Sequence, residues 1–87
     1  MKILIAYDIP SDRRRSQVTR LLANRGERVQ YSVFECDLTP AGYSELQEQI
    51  LALVNPRRDR IHWYPLCQAC WGRARSIGPT YEQTLDY

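Results

Sequence analysis

Asp8 and the arginines that follow it, Arg13, Arg14 and Arg15, are the residues of this chain whose types and spacing best suit chemistry on a phosphate. Ile3 to Ala6 form an apolar run bounded by Lys2 and Asp8. It is too short to span a membrane and reads as a central β-strand covered on both faces. Side chains alternate along a strand, so Ile3, Ile5 and Tyr7 share one face while Leu4, Ala6 and Asp8 share the other, which leaves a carboxylate at the strand's carboxyl end. An aspartate just before Pro10 equally suits the start of a turn, and the strand alone does not decide between the two roles. On the helix expected next, Arg14 falls on the apolar side and Arg15 on its flank, both in the first turn and close to the strand's end. Guanidinium groups recognise phosphate or carboxylate in a planar, bidentate way. Arg13 and Arg20 fall on the wet face, where a solvated basic run is the simpler reading.

Three other sets of residues carry reactive or stacking groups. Cys67-Gln68-Ala69-Cys70 has the CxxC spacing, yet a structural zinc site needs four Cys or His ligands. Cys36 and His62 could complete the set, but nothing in the spacing brings Cys36 near the pair. A thioredoxin-like redox pair stands at a helix start, which the short irregular connection expected at Cys67–Gly72 does not offer. His62, the sole histidine, lies on a strand remote in sequence from Asp8 and reads as a surface or satisfied histidine. Tyr7, Phe34, Trp63, Tyr64 and Trp71 have rings able to stack on bases, although in so small a protein most of them serve core or interface.

The elements that must position these groups fit one domain. A chain of 87 residues buries about 60 to 65% of its unfolded surface, so association with a partner adds useful stability. The net charge is only +2, but Arg supplies eleven of the twelve basic residues, a bias toward phosphate or carboxylate partners. No window of about 18 apolar residues occurs and the amino terminus lacks a signal-peptide pattern, so a soluble, cytoplasmic protein without membrane association is expected. Three cysteines without a secretion signal argue for reduced thiols.

After the first strand, Ser11 is a good N-cap for a helix from Asp12 to about Asn24, with Val18, Leu21, Leu22 and the stem of Arg25 on its apolar face and Gly26 as a left-handed cap. Glu27 to Leu38 is rich in β-formers and reads as two short strands bent near Tyr31 and Ser32. Thr39 caps and Pro40 opens a second helix with Tyr43, Leu46, Ile50, Leu53 and Val54 on one face, stopped by Asn55 and Pro56. Ile61 to Leu66 is a strand, and Arg73 to Ile77 has the length of one more before Gly78 and Pro79 break it. The order is β-α-β-β-α-β plus a short C-terminal strand. This is the α+β, ferredoxin-like split βαβ pattern, with an antiparallel sheet and two helices on one face. The domain spans 1–78 and a flexible tail spans 79–87. The sheet's second face carries Leu4 and Ala6, so a second copy packing sheet to sheet is expected to cover it and to bring two Asp8 side chains together.

Ala6-Tyr7-Asp8-Ile9, Arg14-Arg15, the run Arg28-Val29-Gln30-Tyr31-Ser32-Val33-Phe34-Glu35-Cys36-Asp37-Leu38, Tyr64-Pro65-Leu66-Cys67 and Ile77-Gly78 together resemble the CRISPR-associated protein 2 family over residues 1 to 78. The resemblance implies a ferredoxin-like homodimer that binds duplex DNA beside the spacer-acquisition integrase, CRISPR-associated protein 1, in antiviral defence. In several members it also implies a metal-dependent endonuclease acting on RNA or DNA. By position, the metal-binding aspartate falls on Asp8, and other residues implicated in cleavage fall on Tyr7, Arg15, Arg28 and Phe34. Where many members place Lys, Arg or Asn two residues after the second helix arginine, this chain has Gln17, which removes a possible phosphate contact. Mg²⁺ fits the implied chemistry, because it keeps several waters and is held by one or two carboxylates plus substrate phosphate, so two Asp8 groups across a dimer suffice. Arg14, Arg15 or Arg28 can then neutralise charge building on the phosphate, and Arg13, Arg14 and Arg15 form the expected nucleic-acid-binding set. Two alternatives stay open. One is a non-catalytic DNA-binding scaffold of the integrase complex; the other is a toxin ribonuclease resembling virulence-associated protein D.

Overall fold

The computed structural model describes residues 1–79. Its elements are β1 (Lys2–Asp8), α1 (Asp12–Ala23), β2 (Gly26–Gln30), β3 (Val33–Asp37), α2 (Pro40–Leu53), β4 (Arg60–Leu66) and α3 (Gln68–Gly72). The four strands form one sheet in the order β2-β3-β1-β4 with every neighbouring pair antiparallel. β3 therefore lies between β1 and β2, which is the split βαβ arrangement expected from the element order.

One face of the sheet carries the core. Ile3, Ile5 and Tyr7 of β1 and Phe34 and Cys36 of β3 are buried with Val18 and Leu22 of α1 and with Leu46 and Ile50 of α2. Both helices begin where the side-chain chemistry says they should. Ser11 Oγ accepts from the Arg14 amide at 3.2 Å and Thr39 Oγ1 accepts from the Gly42 amide at 3.0 Å, each satisfying a first-turn donor that has no intrahelical acceptor. On the opposite face Leu4 and Ala6 are half-buried and Asp8 is exposed, so the alternation read from β1 holds residue by residue.

Three local expectations fail, each for a physical reason. Gly26 is not a left-handed helix cap: Asn24, in a right-handed conformation, caps α1, and Gly26 opens β2 because its backbone lies against Glu35 and Cys36 of β3. The connection after β4 is not irregular, since Cys67 caps the short helix α3 and its carbonyl accepts from the Trp71 amide at 3.0 Å. No strand forms over Arg73–Ile77. The Arg73 and Ala74 amides are drawn back to the carbonyls of Cys70 and Trp71 at 3.1 Å each, which continues the α3 turn, and a strand needs a ladder partner along its length. The residues expected to form a tail lie, apart from Pro79, outside the described residues.

Arg14 is used for structure. Its Nε and Nη2 donate to the two carboxylate oxygens of Asp59 at 2.7 and 3.0 Å, and the Asp59 side chain is 0% exposed. The Asn55 amide adds a third donor at 2.8 Å. The Arg14 guanidinium, opposed by burial and joined by that amide, holds the Asp59 carboxyl below its ordinary range. A depressed carboxyl stabilises the fold above its unfolded pKa and loses that contribution as pH falls through its folded value. Arg14→Ala, which leaves a buried carboxylate without its cation, is expected to lower the melting temperature by roughly 10 °C. In wild type the same ion pair is expected to weaken only below about pH 4. Melting curves of both proteins from pH 3 to pH 7 check this; equal melting temperatures at neutral pH would show the pair to be idle.

Candidate active site at the end of β1

The carboxyl end of β1 meets two other segments. The β1–β3 ladder runs to the Ala6–Val33 pair, and the Tyr7 amide then donates to the Ser32 carbonyl at 3.1 Å, which brings the β2–β3 turn against Asp8. From the other side, Arg15 in the first turn of α1 donates through Nη1 to the Ile9 carbonyl at 3.0 Å and through Nη2 to Asp12 Oδ1. Together Tyr7, Asp8, Ile9, Pro10, Arg15, Tyr31 and Ser32 line an open cavity of about 370 Å³. Asp8 is exposed and Tyr31 is 53% exposed, so a carboxylate, a guanidinium and an aromatic ring border a space open to solvent.

β4 adds two residues that sequence spacing did not connect to Asp8. Arg60 is the direct cross-strand partner of Asp8 and His62 that of Ala6. Directly opposed residues of an antiparallel pair share a face, so Arg60 stands beside Asp8 on the open face and His62 is its diagonal neighbour. His62 stacks on Tyr64 with ring centroids 6.2 Å apart and an interplanar angle of 16°. The available signal was topological: in this strand order an antiparallel β4 must begin where β1 ends.

A sequence model of the family described as CRISPR associated protein Cas2 matches residues 1–74. The chain belongs to the Cas2 family. It is 48% identical over 63 residues to the CRISPR-associated endoribonuclease Cas2 3 of Synechocystis, an alignment covering 72% of this chain and 68% of that protein. It is 40% identical over 89 residues to the CRISPR-associated endoribonuclease Cas2 1 of Chloroflexus aurantiacus, covering 99% and 96%. The crystal structure of Streptococcus pyogenes Cas2 at pH 6.5 superposes with a TM-score of 0.80 at 30% identity, covering 90% of this chain and all of that one.

Within this Cas2-family fold the five residues implicated by resemblance separate into two groups. Asp8 and Arg15 share the cavity with solvent-accessible groups. Tyr7, Arg28 and Phe34 are buried. The Tyr7 hydroxyl is hydrogen-bonded to Thr19 Oγ1 at 2.6 Å, and its ring stacks on Phe34 with centroids 6.3 Å apart. Burial pushes the Tyr7 phenol up, against the opposing pull of Thr19 and Arg28, so it stays neutral near neutral pH. Arg28 is 3% exposed and donates through Nε and Nη2 to the Tyr31 carbonyl at 2.9 and 2.6 Å, its guanidinium lying 5.0 Å from the Tyr31 ring centroid. Arg28 through the Tyr31 carbonyl, and the Tyr7 amide through the Ser32 carbonyl, hold the turn that forms one wall of the cavity, while Phe34 packs against the Tyr7 ring and the Arg28 guanidinium. Of the two guanidinium groups expected near Asp8, Arg15 is there and Arg14 is committed to Asp59, while Arg13 is exposed on α1. Tyr31, Ser32, Arg60 and His62 are the neighbours of Asp8 that the linear pattern missed.

Among the described residues no group of three or more His, Cys, Asp or Glu side chains could hold a metal ion. One exposed carboxylate per chain still fits Mg²⁺, because this ion keeps most of its waters and needs one or two protein carboxylates beside a substrate phosphate.

Proposed function

We propose that this Cas2-family protein is an endonuclease of CRISPR adaptation that works beside the spacer integrase and cleaves RNA or DNA with Mg²⁺ held by Asp8 from each of two copies. The observation that carries the reading is an exposed carboxylate at the end of β1 sharing an open cavity with the Arg15 guanidinium. The open sheet face supports a sheet-to-sheet homodimer: Leu4 and Ala6 line it half-buried, and Tyr64 stands 48% exposed beside them. The names of the endoribonuclease relatives support cleavage. Among the described residues no helix is long and apolar enough to cross a membrane.

When bound, Mg²⁺ supplies a Lewis acid for a phosphoryl oxygen and lowers the pKa of coordinated water. The chain's own groups act around the phosphate. Asp8 provides the anionic ligand. Arg15 and Arg60 provide fixed positive charge, which favours a phosphate as negative charge builds on it. Arg28 and the Tyr7 amide keep the β2–β3 turn in place, so the cavity does not need to reorganise when substrate arrives. His62, the sole histidine, lies on the same face as Asp8.

One observation favours a second reading. Three of the five residues implicated in cleavage are buried and already engaged, which leaves a basic surface around a single carboxylate and suits a duplex-binding scaffold that recognises backbone charge. Labelled RNA and duplex DNA incubated with purified protein, with Mg²⁺ or with chelator, distinguish the two. Cleavage that chelator abolishes is the result expected of the enzyme; binding with no cleavage under any condition is the result expected of the scaffold. In either case Arg13→Ala with Arg15→Ala is expected to weaken binding across sequences and to flatten its salt dependence by roughly 1 unit of slope for each arginine that touches a phosphate. An unchanged slope would move the nucleic-acid surface elsewhere.

A further inference from the structure

We propose that Cys67 and Cys70 form a redox site, a surface dithiol that reacts with a low-molecular-weight disulfide and closes into an intramolecular disulfide. The two residues cap and open the same helical turn. Cys67 is the N-cap of α3 and its Sγ accepts from the Cys70 amide at 3.3 Å. That hydrogen bond sets the Cys67 sulfur against the Cys70 backbone, and the two thiol groups interact directly with each other. Both residues are exposed, and Cα atoms three positions apart on a helical turn are about 5 Å apart, within the range a disulfide spans.

The two thiols differ in a way that suits exchange. The Cys70 amide first, and the Cys70 thiol second, hold the Cys67 thiol below its ordinary value, while Cys70 is pushed up by Cys67 and drawn back by Arg73 beside it. Cys67 is therefore the attacking sulfur and Cys70 the resolving one. Cys36 is the internal contrast: it is buried, and desolvation pushes its thiol up to about 11. Metal binding is the poorer use of the pair, since two thiolates are half of a zinc site and no third ligand clusters with them among the described residues.

The chemistry balances. The Cys67 thiolate attacks one sulfur of the external disulfide RS–SR, forming Cys67–SR as the RS–SR bond breaks and one RS⁻ leaves. Cys70 gives its proton to solvent and attacks Cys67 Sγ, forming the Cys67–Cys70 bond and expelling the second RS⁻. The two cysteines lose two electrons, the external disulfide gains them, and both leaving thiolates take up protons as RSH. The closed ring lies in a helix whose Trp71 sits 5.1 Å beneath the Lys2 ammonium. That helix feeds Arg75–Pro79, which border a cavity along β2.

The test equilibrates the full-length protein with oxidised and reduced glutathione at graded ratios, quenches with iodoacetamide and reads intact mass and peptide maps. The expected product is a Cys67–Cys70 disulfide with Cys36 unmodified until the protein is denatured. Cys70→Ser is expected to accumulate glutathione on Cys67. Cys67→Ser retains a good N-cap, so α3 persists, and its remaining surface thiol is expected to react about tenfold more slowly than Cys67 does. A wild-type protein that stays reduced at every ratio, or that stops at a mixed disulfide without closing, would overturn the assignment, as would a Cys67→Ser variant as reactive as Cys70→Ser.

Discussion

Asp8→Asn is expected to remove most of the proposed nuclease activity, with a loss of about 10²-fold or more, because the substitution keeps the shape of the side chain and takes away the charge that would hold the metal and organise the phosphate. Affinity for nucleic acid changes far less, since loss of a negative charge cannot weaken arginine contacts to backbone phosphates. The fold is expected to tolerate the change because Asp8 is exposed at the end of β1. Cleavage rate, affinity and melting temperature measured side by side on wild type and variant test this. A variant that folds normally and cuts as fast as wild type would make Asp8 a turn residue before Pro10 and nothing more.

Gly26→Ala is expected to cost a large part of the fold's stability. A Cβ at position 26 would lie 2.2 Å from the Glu35 carbonyl oxygen, 2.6 Å from Cys36 Sγ and 3.0 Å from Cys36 Cα. Two of those atoms belong to the β3 backbone and the third to a buried side chain, so none can swing aside, and β2 has to separate from β3. Overpacking of this kind costs about 3 kcal/mol, which for a domain of this size lowers the melting temperature by roughly 15 °C. Gly72→Ala is the control, because nothing lies within 4 Å of a Cβ there. Thermal melts of the two variants check the pair, and equal melting temperatures would remove the close β2–β3 approach from the stability of the fold.

Periodicity and capping made the elements from Lys2 to Leu66 readable. The alternation of Ile3, Ile5 and Tyr7 gave the core face of β1, and Ser11 and Thr39 marked both helix starts. What local pattern did not carry were features that depend on a neighbour distant in sequence. Gly26 looked like a helix cap because a glycine after a helix usually is one, whereas its use here is set by β3, nine and ten residues further on. Arg14 looked like a partner for Asp8 because both sit at the same end of the domain, but Asp59 reaches it from the turn before β4. The Arg73–Ile77 strand failed because alternation reports what a segment could pair with, not whether an edge is offered to it. The site divided in the same manner. Asp8 and Arg15 were legible from the end of an apolar strand and the first turn of the next helix, while Arg60 and His62 become neighbours of Asp8 only through the β1–β4 register.

The most direct measurement mixes wild-type and Asp8→Asn chains at known ratios, allows subunits to exchange, and follows the initial rate of RNA or DNA cleavage at fixed total protein and saturating Mg²⁺. A site that needs one Asp8 carboxylate from each copy of a two-fold dimer predicts that activity falls as the square of the wild-type fraction, to about a quarter at an equal mixture. A linear fall, to about half, would contradict the shared site and leave each chain working alone.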